Sequence, residues 1–443
     1  MKKIFLSFAA ICFLVTAKAQ ENMAPAPKQA QPIVVTGATV HVGNGQVLNN
    51  ASVVIVNGKI TAVGTNVAAP AGAKTVNAQG KHVYPGLILS SSNLGLVEVN
   101  SIRATSDARE IGDMNPNLHS IIAYNTDSKV TNTLRPNGIL LANVVPEGGM
   151  LSGQSSVVQL DAWNWEDAAY KTDNGVVFRM PSLLARPRGF GFGGGGGGGR
   201  GAGQTGDTDP VKAALDRIDN FKSFLRQAKA YNALNKPDEV SLKYAAMKGL
   251  FDKSKKLYIH ASTVKQILVA IDIAKEFDLD AVIVGGEDSW QVADLLKQNN
   301  ISVILSQPHA LPILTDDDVD QPYKTAALLQ KAGVTFAIND EDGQTRGRNL
   351  AFNAGTAVAY GLTKEQALQA ITLNAAKVLG VADKTGSIEI GKDANIIISD
   401  GDILDMRTQN ITQAFIQGRE IELQSKQTQL YDKFKKKYTN PAF

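Results

Sequence analysis

The chain has a single cysteine, Cys12, among its 443 residues. It lies inside the apolar run 4–15, which follows Lys2-Lys3 and precedes Ala17-Lys18-Ala19. A basic start, a short apolar centre and an A-x-A site predict a cleavable export signal over residues 1–19, so the product is expected to be periplasmic or secreted. The run is too short for a bilayer span, which needs ~20 apolar residues. A chain cut there has no cysteine. That excludes disulfides, a cysteine nucleophile and a thiolate metal site.

Charge of one sign is also lacking. The 45 Lys and Arg fall to 42 once Lys2, Lys3 and Lys18 are discounted, against 42 Asp and Glu. A balanced chain excludes a nucleic-acid binder that works through net charge. No Gly-x-Gly-x-x-Gly joins a strand to a helix, so nothing supports a dinucleotide-binding sheet. The seven-glycine run 193–199 has no Gly-Lys-Ser/Thr ending and is not a phosphate loop. Its composition predicts a mobile insertion over 186–207.

Residues 20–31, rich in Pro, Ala and Gln, read as a disordered leader. From Pro32 onward short β-branched runs appear, with Asn57-Gly58 as a type I′ hairpin signal. β texture returns at 386–398 and 411–421. The two β segments, 32–85 and 381–423, are expected to form one composite β-sandwich.

Between them, 86–380 alternates strand and helix. Strands are expected at 256–260, 281–284, 301–305 and 335–338, with helices at 263–276, 291–297, 323–332 and 349–360. Repeated βα units over ~300 residues predict an α/β fold, a (β/α)8 TIM-like barrel. The basic tail, 424–443, places Leu430, Phe434 and Tyr438 on one helical face, which predicts a terminal helix docked on the body in preference to one lying on a membrane surface, since the basic patch is short.

Three stretches carry a resemblance: Asn57-Gly58-Lys59-Ile60-Thr61-Ala62-Val63-Gly64, the run 76–88 that ends in Val83-Tyr84-Pro85-Gly86-Leu87-Ile88, and 362–395. In the last, Ile371-Thr372-Leu373-Asn374-Ala375-Ala376 leads to Gly386-Ser387-Ile388-Glu389-Ile390-Gly391-Lys392-Asp393-Ala394-Asn395. Their order and spacing resemble the amidohydrolase superfamily, and within it the secreted imidazolonepropionase-like branch. The resemblance implies hydrolysis of C–N bonds by a metal-activated water, a divalent metal such as zinc, and an aspartate on the last barrel strand. Metal lowers the pKa of bound water from 15.7 to about 7, and the aspartate moves the proton to the leaving amine.

In the family, Pro-Gly-Leu-Ile is followed by Asp-x-His-x-His. Here that register holds Leu89, Ser91 and Asn93. Of the five histidines, His260 ends a predicted strand where the family places a metal ligand. The next strand ends in Gly285-Gly286 instead of a second histidine. His309 follows the strand after that, where it would line the mouth, and Asp340 or Asp342 matches the catalytic aspartate. Ser91, Asn93 and His309 are therefore the expected substrate-binding residues and His260 the metal ligand. A hard-cation site from Glu287, Asp288, Asp340, Glu341 and Asp342 is an alternative. The segments 103–110 and 143–156 offer glycines and hydroxyls for specificity.

The expected ligand is a small molecule or a peptide-like compound. Two functions follow: a C–N hydrolase with a degraded or rebuilt metal site, or an inactive amidohydrolase-fold binding protein or partner subunit of an active relative. A homo-oligomer and pairing with a related amidohydrolase both stay open.

Overall fold

The computed structural model describes residues 24–184, 209–234, 239–314, 316–340 and 346–439. The export signal, Cys12, the glycine run, Glu341 and Asp342 lie outside the described residues. Two sheets organise the chain, each with its own core.

The first sheet draws on both ends of the sequence. Its strands are β1 (Ile33–His41), β2 (Val47–Val56), β3 (Lys59–Gly64), β4 (Lys74–Asn77) and β5 (His82–Pro85) from one end. β14 (Ile396–Ser399), β15 (Ile411–Ile416) and β16 (Arg419–Glu420) come from the other. β5 joins the two groups antiparallel to β14, with Tyr84 opposite Ile397. The Asn57-Gly58 turn has φ of 49° and 78°, as a type I′ hairpin requires. Alternate residues Val35, Val53, Ile55, Ile396, Ile398 and Phe415 fill the core this sheet covers.

The second sheet is an eight-stranded barrel that almost closes. In order it holds β6 (Leu87–Ser92), β7 (Ile139–Val144), β8 (Leu151–Gln159), β9 (Ala169–Arg179), β10 (Lys256–Ala261), β11 (Ala281–Gly285), β12 (Ser302–Leu305) and β13 (Phe336–Ile338). The sequence predicts parallel βα units throughout. Instead β8 runs antiparallel to both β7 and β9. The reason is chain length: only residues 145–150 join β7 to β8, and a parallel crossover needs a dozen or more. The remaining neighbours are parallel.

Helices pack outside this sheet. Val264–Phe277 and Lys364–Ile371 each begin with a capping box, Thr263 with Gln266 and Thr363 with Gln366. The 23-residue helix Pro210–Asn232 is unassigned from sequence. It buries Ala214, Ile218, Phe221, Leu225 and Ala228, and Phe221 stacks on Phe178 of β9 at 4.0 Å.

The entry to the barrel depends on a close approach. A Cβ at Gly86 would lie 2.5 Å from the Leu140 side chain, so only glycine lets β5 turn into β6 beside β7. Asp393 ties the two bodies together, accepting from Tyr170 at 2.5 Å and pairing with Lys59 at 2.5 Å.

Two expectations change here. Residues 24–31 are laid against the body: the Ala26 amide donates to Asp161 at 2.9 Å, and Gln29 bonds both the Gly58 amide and the Ile55 carbonyl. Hydrogen bonds to the Asp161 carboxylate and to the backbone at Ile55 and Gly58 hold this segment where composition alone predicts disorder. The tail does form a helix, Lys426–Thr439, but none of its residues is buried. It packs against the short helix Thr131–Leu134, and the face predicted to dock stays in solvent.

Candidate active site

Active-site residues of such barrels stand at the C-terminal ends of the parallel strands. The ends of β6, β9, β10, β11, β12 and β13 therefore define the mouth, and each carries polar side chains at or just beyond its last residue.

At the end of β6, Ser91 is buried and its backbone is clamped by Asn339, just beyond β13. Asn93 donates to Glu147 Oε1 at 3.0 Å, while its own Oδ1 is buried with no protein partner. Arg109 reaches the other oxygen of Glu147 at 3.4 Å. The loops at 103–110 and 145–150 thus meet at the mouth through Arg109 and Glu147.

His260 lies in register with Arg179 of β9 and Val284 of β11. Strand alternation puts it on the same side as Tyr258, whose hydroxyl accepts from Asn174 Nδ2 at 2.9 Å. The residue is half-buried, and its Nε2 is sealed from solvent with no protein partner. Burial, and then the positive charge of Arg179, push its pKa down to about 3. His260 is therefore a neutral imidazole at any physiological pH. Arg179 is held by Ser152 Oγ at 3.2 Å and the Pro146 carbonyl at 3.3 Å.

Next to these, Glu287 folds back over the end of β11. Its Oε1 accepts from Ser306 at 3.0 Å, and its Oε2 is buried without a partner. Asp288 is turned away, accepting from the Val264 amide at 3.2 Å, and burial raises its pKa. Asp340, buried after β13, accepts from Asn353 at 3.1 Å and faces Arg346 at 4.0 Å. Beside Glu287 opens an apolar cavity of about 40 Å³, walled by Leu305, Pro308, Tyr323, Ala326 and Ile338.

The sequence-predicted residues divide accordingly. Ser91, Asn93, His260 and Asp340 all stand at the mouth. His309 is exposed and carried outward, bonding Thr356 at 2.8 Å and meeting Tyr323 edge-on. Asp342 lies outside the described residues. Arg179, Glu147 and Asn339 were not singled out from sequence. The signal for Arg179 and Asn339 is a polar residue ending or following an apolar strand.

A zinc-type ion needs three or more N, O or S donors converging at about 2.0–2.3 Å. Among the described residues no three His, Cys, Asp or Glu gather in that way. Asp340 and Glu287 each commit an oxygen to a neighbour, and β11 ends in Gly285-Gly286, where the resemblance leads one to expect a second histidine. The described donor set does not fit the metal that the family resemblance implies.

The barrel and the separate sheet built from both ends of the chain match the amidohydrolase fold. The Amidohydrolase family profile matches residues 290–421. An amidohydrolase of Thermotoga maritima superposes with a TM-score of 0.73 at 24% identity, over 88% of this chain and 99% of that one. Imidazolonepropionase of Thermoplasma volcanium is 41% identical over 20% of this chain and 22% of its own length. That of Mesorhizobium japonicum is 24% identical over 78% of this chain and 85% of its own. The match to the first of these relatives spans only about a fifth of the relative's length. The chain is thus imidazolonepropionase-like in sequence and carries an amidohydrolase-type barrel.

Proposed function

We propose that this chain binds a small cyclic amide or peptide-like compound at the barrel mouth and acts on its C–N bond with a rebuilt site. Similarity to imidazolonepropionases supports the bond type and favours a ring amide of the imidazolone kind. The observation that carries the reading is His260: a neutral, sealed imidazole nitrogen with no protein partner, beside a cationic Arg179. Buried polar atoms ordinarily find a partner, and a ligand amide supplies one here.

The chain's own groups suit this task. Arg179 places positive charge near a carbonyl oxygen that becomes negative on attack by water. His260 Nε2 makes one hydrogen bond to the bound amide. Asp340 takes a proton from the attacking water and returns it to the leaving nitrogen. Such acid–base help is worth ~10²–10⁴-fold. Activation of water by a metal, roughly 8–9 pKa units, is worth about 12 kcal/mol, so turnover by these groups alone is slow.

A second reading has its own support. Gly285 at φ +98° stands where the family has a histidine, which favours a binding protein or partner subunit descended from an enzyme. The test is amine release from a panel of imidazolones, hydantoins, N-acyl amino acids and dipeptides, with and without added zinc. Turnover that disappears in both His260→Ala and Asp340→Asn upholds the hydrolase reading. Turnover indifferent to both discards this site. Saturable binding with no turnover leaves the binding-protein reading.

A further inference from the structure

The helix Lys426–Thr439 is the part of the described chain that the barrel mouth does not explain. It has fourteen residues and buries none of them. An isolated helix of that length is marginal in water, so it gains from lying on something. Its large apolar residues are open: Leu430 is 39% exposed, Phe434 46%, Tyr431 65% and Tyr438 77%.

Their arrangement is ordered. With 3.6 residues per turn, Leu430, Phe434, Tyr438 and Tyr431 fall within an arc of roughly 100°. Lys426, Lys433 and Lys437 border one edge of that arc and Lys435 the other, while the acidic Asp432 points the opposite way. Three lysines fold over the rings, Lys433 at 6.0 Å from Phe434, Lys435 at 5.6 Å from Tyr431 and Lys437 at 5.4 Å from Tyr438. Apolar stems beside an aromatic band with ammonium groups at its rim are what an interfacial helix uses to sink rings and keep charge at the headgroups.

We infer that this helix lies on anionic membrane surface, with Leu430, Tyr431, Phe434 and Tyr438 buried at the headgroup boundary and the lysines against lipid phosphates. Charge selects this occupant. A second copy of the helix would oppose the same four rim lysines, 426, 433, 435 and 437, whereas anionic lipid neutralises them.

Hydrogen exchange of the 426–439 segment, measured in the full chain, tests this without interference from the apolar run 4–15, because the readout is local. Vesicles of phosphatidylcholine with one quarter phosphatidylglycerol are compared with pure phosphatidylcholine. Protection by the anionic vesicles at a lipid concentration about tenfold lower or more than for the neutral ones is expected, weakening at high salt. Leu430→Ser with Phe434→Ser should abolish it, and Lys433→Glu with Lys437→Glu should remove the lipid selectivity. Neither pair should change the thermal unfolding of the body by more than a few degrees, because no residue of the helix is fully buried. No protection, or equal protection by both vesicles, overturns the inference. Protection without lipid that grows with protein concentration overturns it in favour of self-association, and protection that appears only with another protein overturns it in favour of that partner.

Discussion

The Asn339 side chain donates from Nδ2 to the Ser91 carbonyl at 2.9 Å and accepts from the Ser91 amide through Oδ1 at 3.1 Å. One carboxamide thus does between β13 and β6 what a peptide group does elsewhere in the sheet. Both residues are buried, Asn339 completely. Asn339→Ala leaves a buried N–H and a buried C=O unpaired, which should cost about 2–4 kcal/mol. Asn339→Asp keeps the acceptor but turns a carboxylate oxygen onto the Ser91 carbonyl, and should cost at least as much. Urea denaturation measures both, and an unchanged midpoint in Asn339→Ala would show that the barrel closes without this clamp.

Asp161 joins three parts of the chain. It pairs with Arg135 at 2.9 Å and Arg419 at 2.7 Å and accepts from the Ala26 amide. Its side chain is 1% exposed and that of Arg135 6%. Removing one partner of a buried pair strands the other charge, typically costing about 3–5 kcal/mol. Asp161→Ala is expected to lose stability on that scale and to release residues 24–31. Proteolysis reads the second effect: a 24–31 segment no more sensitive than in the parent rejects this role for the hub.

His260 gives a pH signature. Its folded pKa of about 3 lies below the ordinary 6.5, so between those values the unfolded chain holds a proton that the folded chain refuses. Stability from this group is therefore complete above pH ~6.5 and falls as the pH drops toward 3, by a few kcal/mol at about 1.36 kcal/mol per unit. His260→Gln should flatten this acid limb relative to the parent. Equal slopes in both proteins over pH 4–6.5 would mean that the imidazole is not sealed as described. Ligand affinity should also show no inflection near pH 6.5 attributable to this residue.

Putting a histidine back on β11 should fail. Gly285 has φ +98°, and a Cβ there would stand 3.1 Å from Glu287 Oε2 and 3.2 Å from Ser262 Oγ. A side chain held in that backbone region costs about 1–3 kcal/mol. Gly285→His is expected to unfold more readily and to gain no tightly held zinc after loading and gel filtration, measured by elemental analysis. Stoichiometric zinc would show that a single histidine completes the site.

Much of this protein is readable from local sequence. Thr263-x-x-Gln266 and Thr363-x-x-Gln366 announce helix starts, Asn57-Gly58 announces a hairpin, and the buried β-branched runs announce sheet. These signals act over a few residues, so no distant contact is needed to interpret them. The reversal of β8 is less visible, because its short connections matter only once the strand ends are known. The outward turn of His309 is invisible locally, since Thr356 and Tyr323, which hold it, come from two other helices.

Pro85-Gly86-Leu87-Ile88 marked, by resemblance, where a barrel begins, and residue types alone placed Ser91 and Asn93 where that resemblance expects paired histidines. Tertiary structure decided what stands in their place: Asn339 on the Ser91 backbone, Glu147 on Asn93, and Arg179 beside a sealed His260. Each of these pairs joins strands or loops distant in sequence. Closing the sheet fixes which side chains share the mouth, and burial there, more than the residue types themselves, holds His260 neutral.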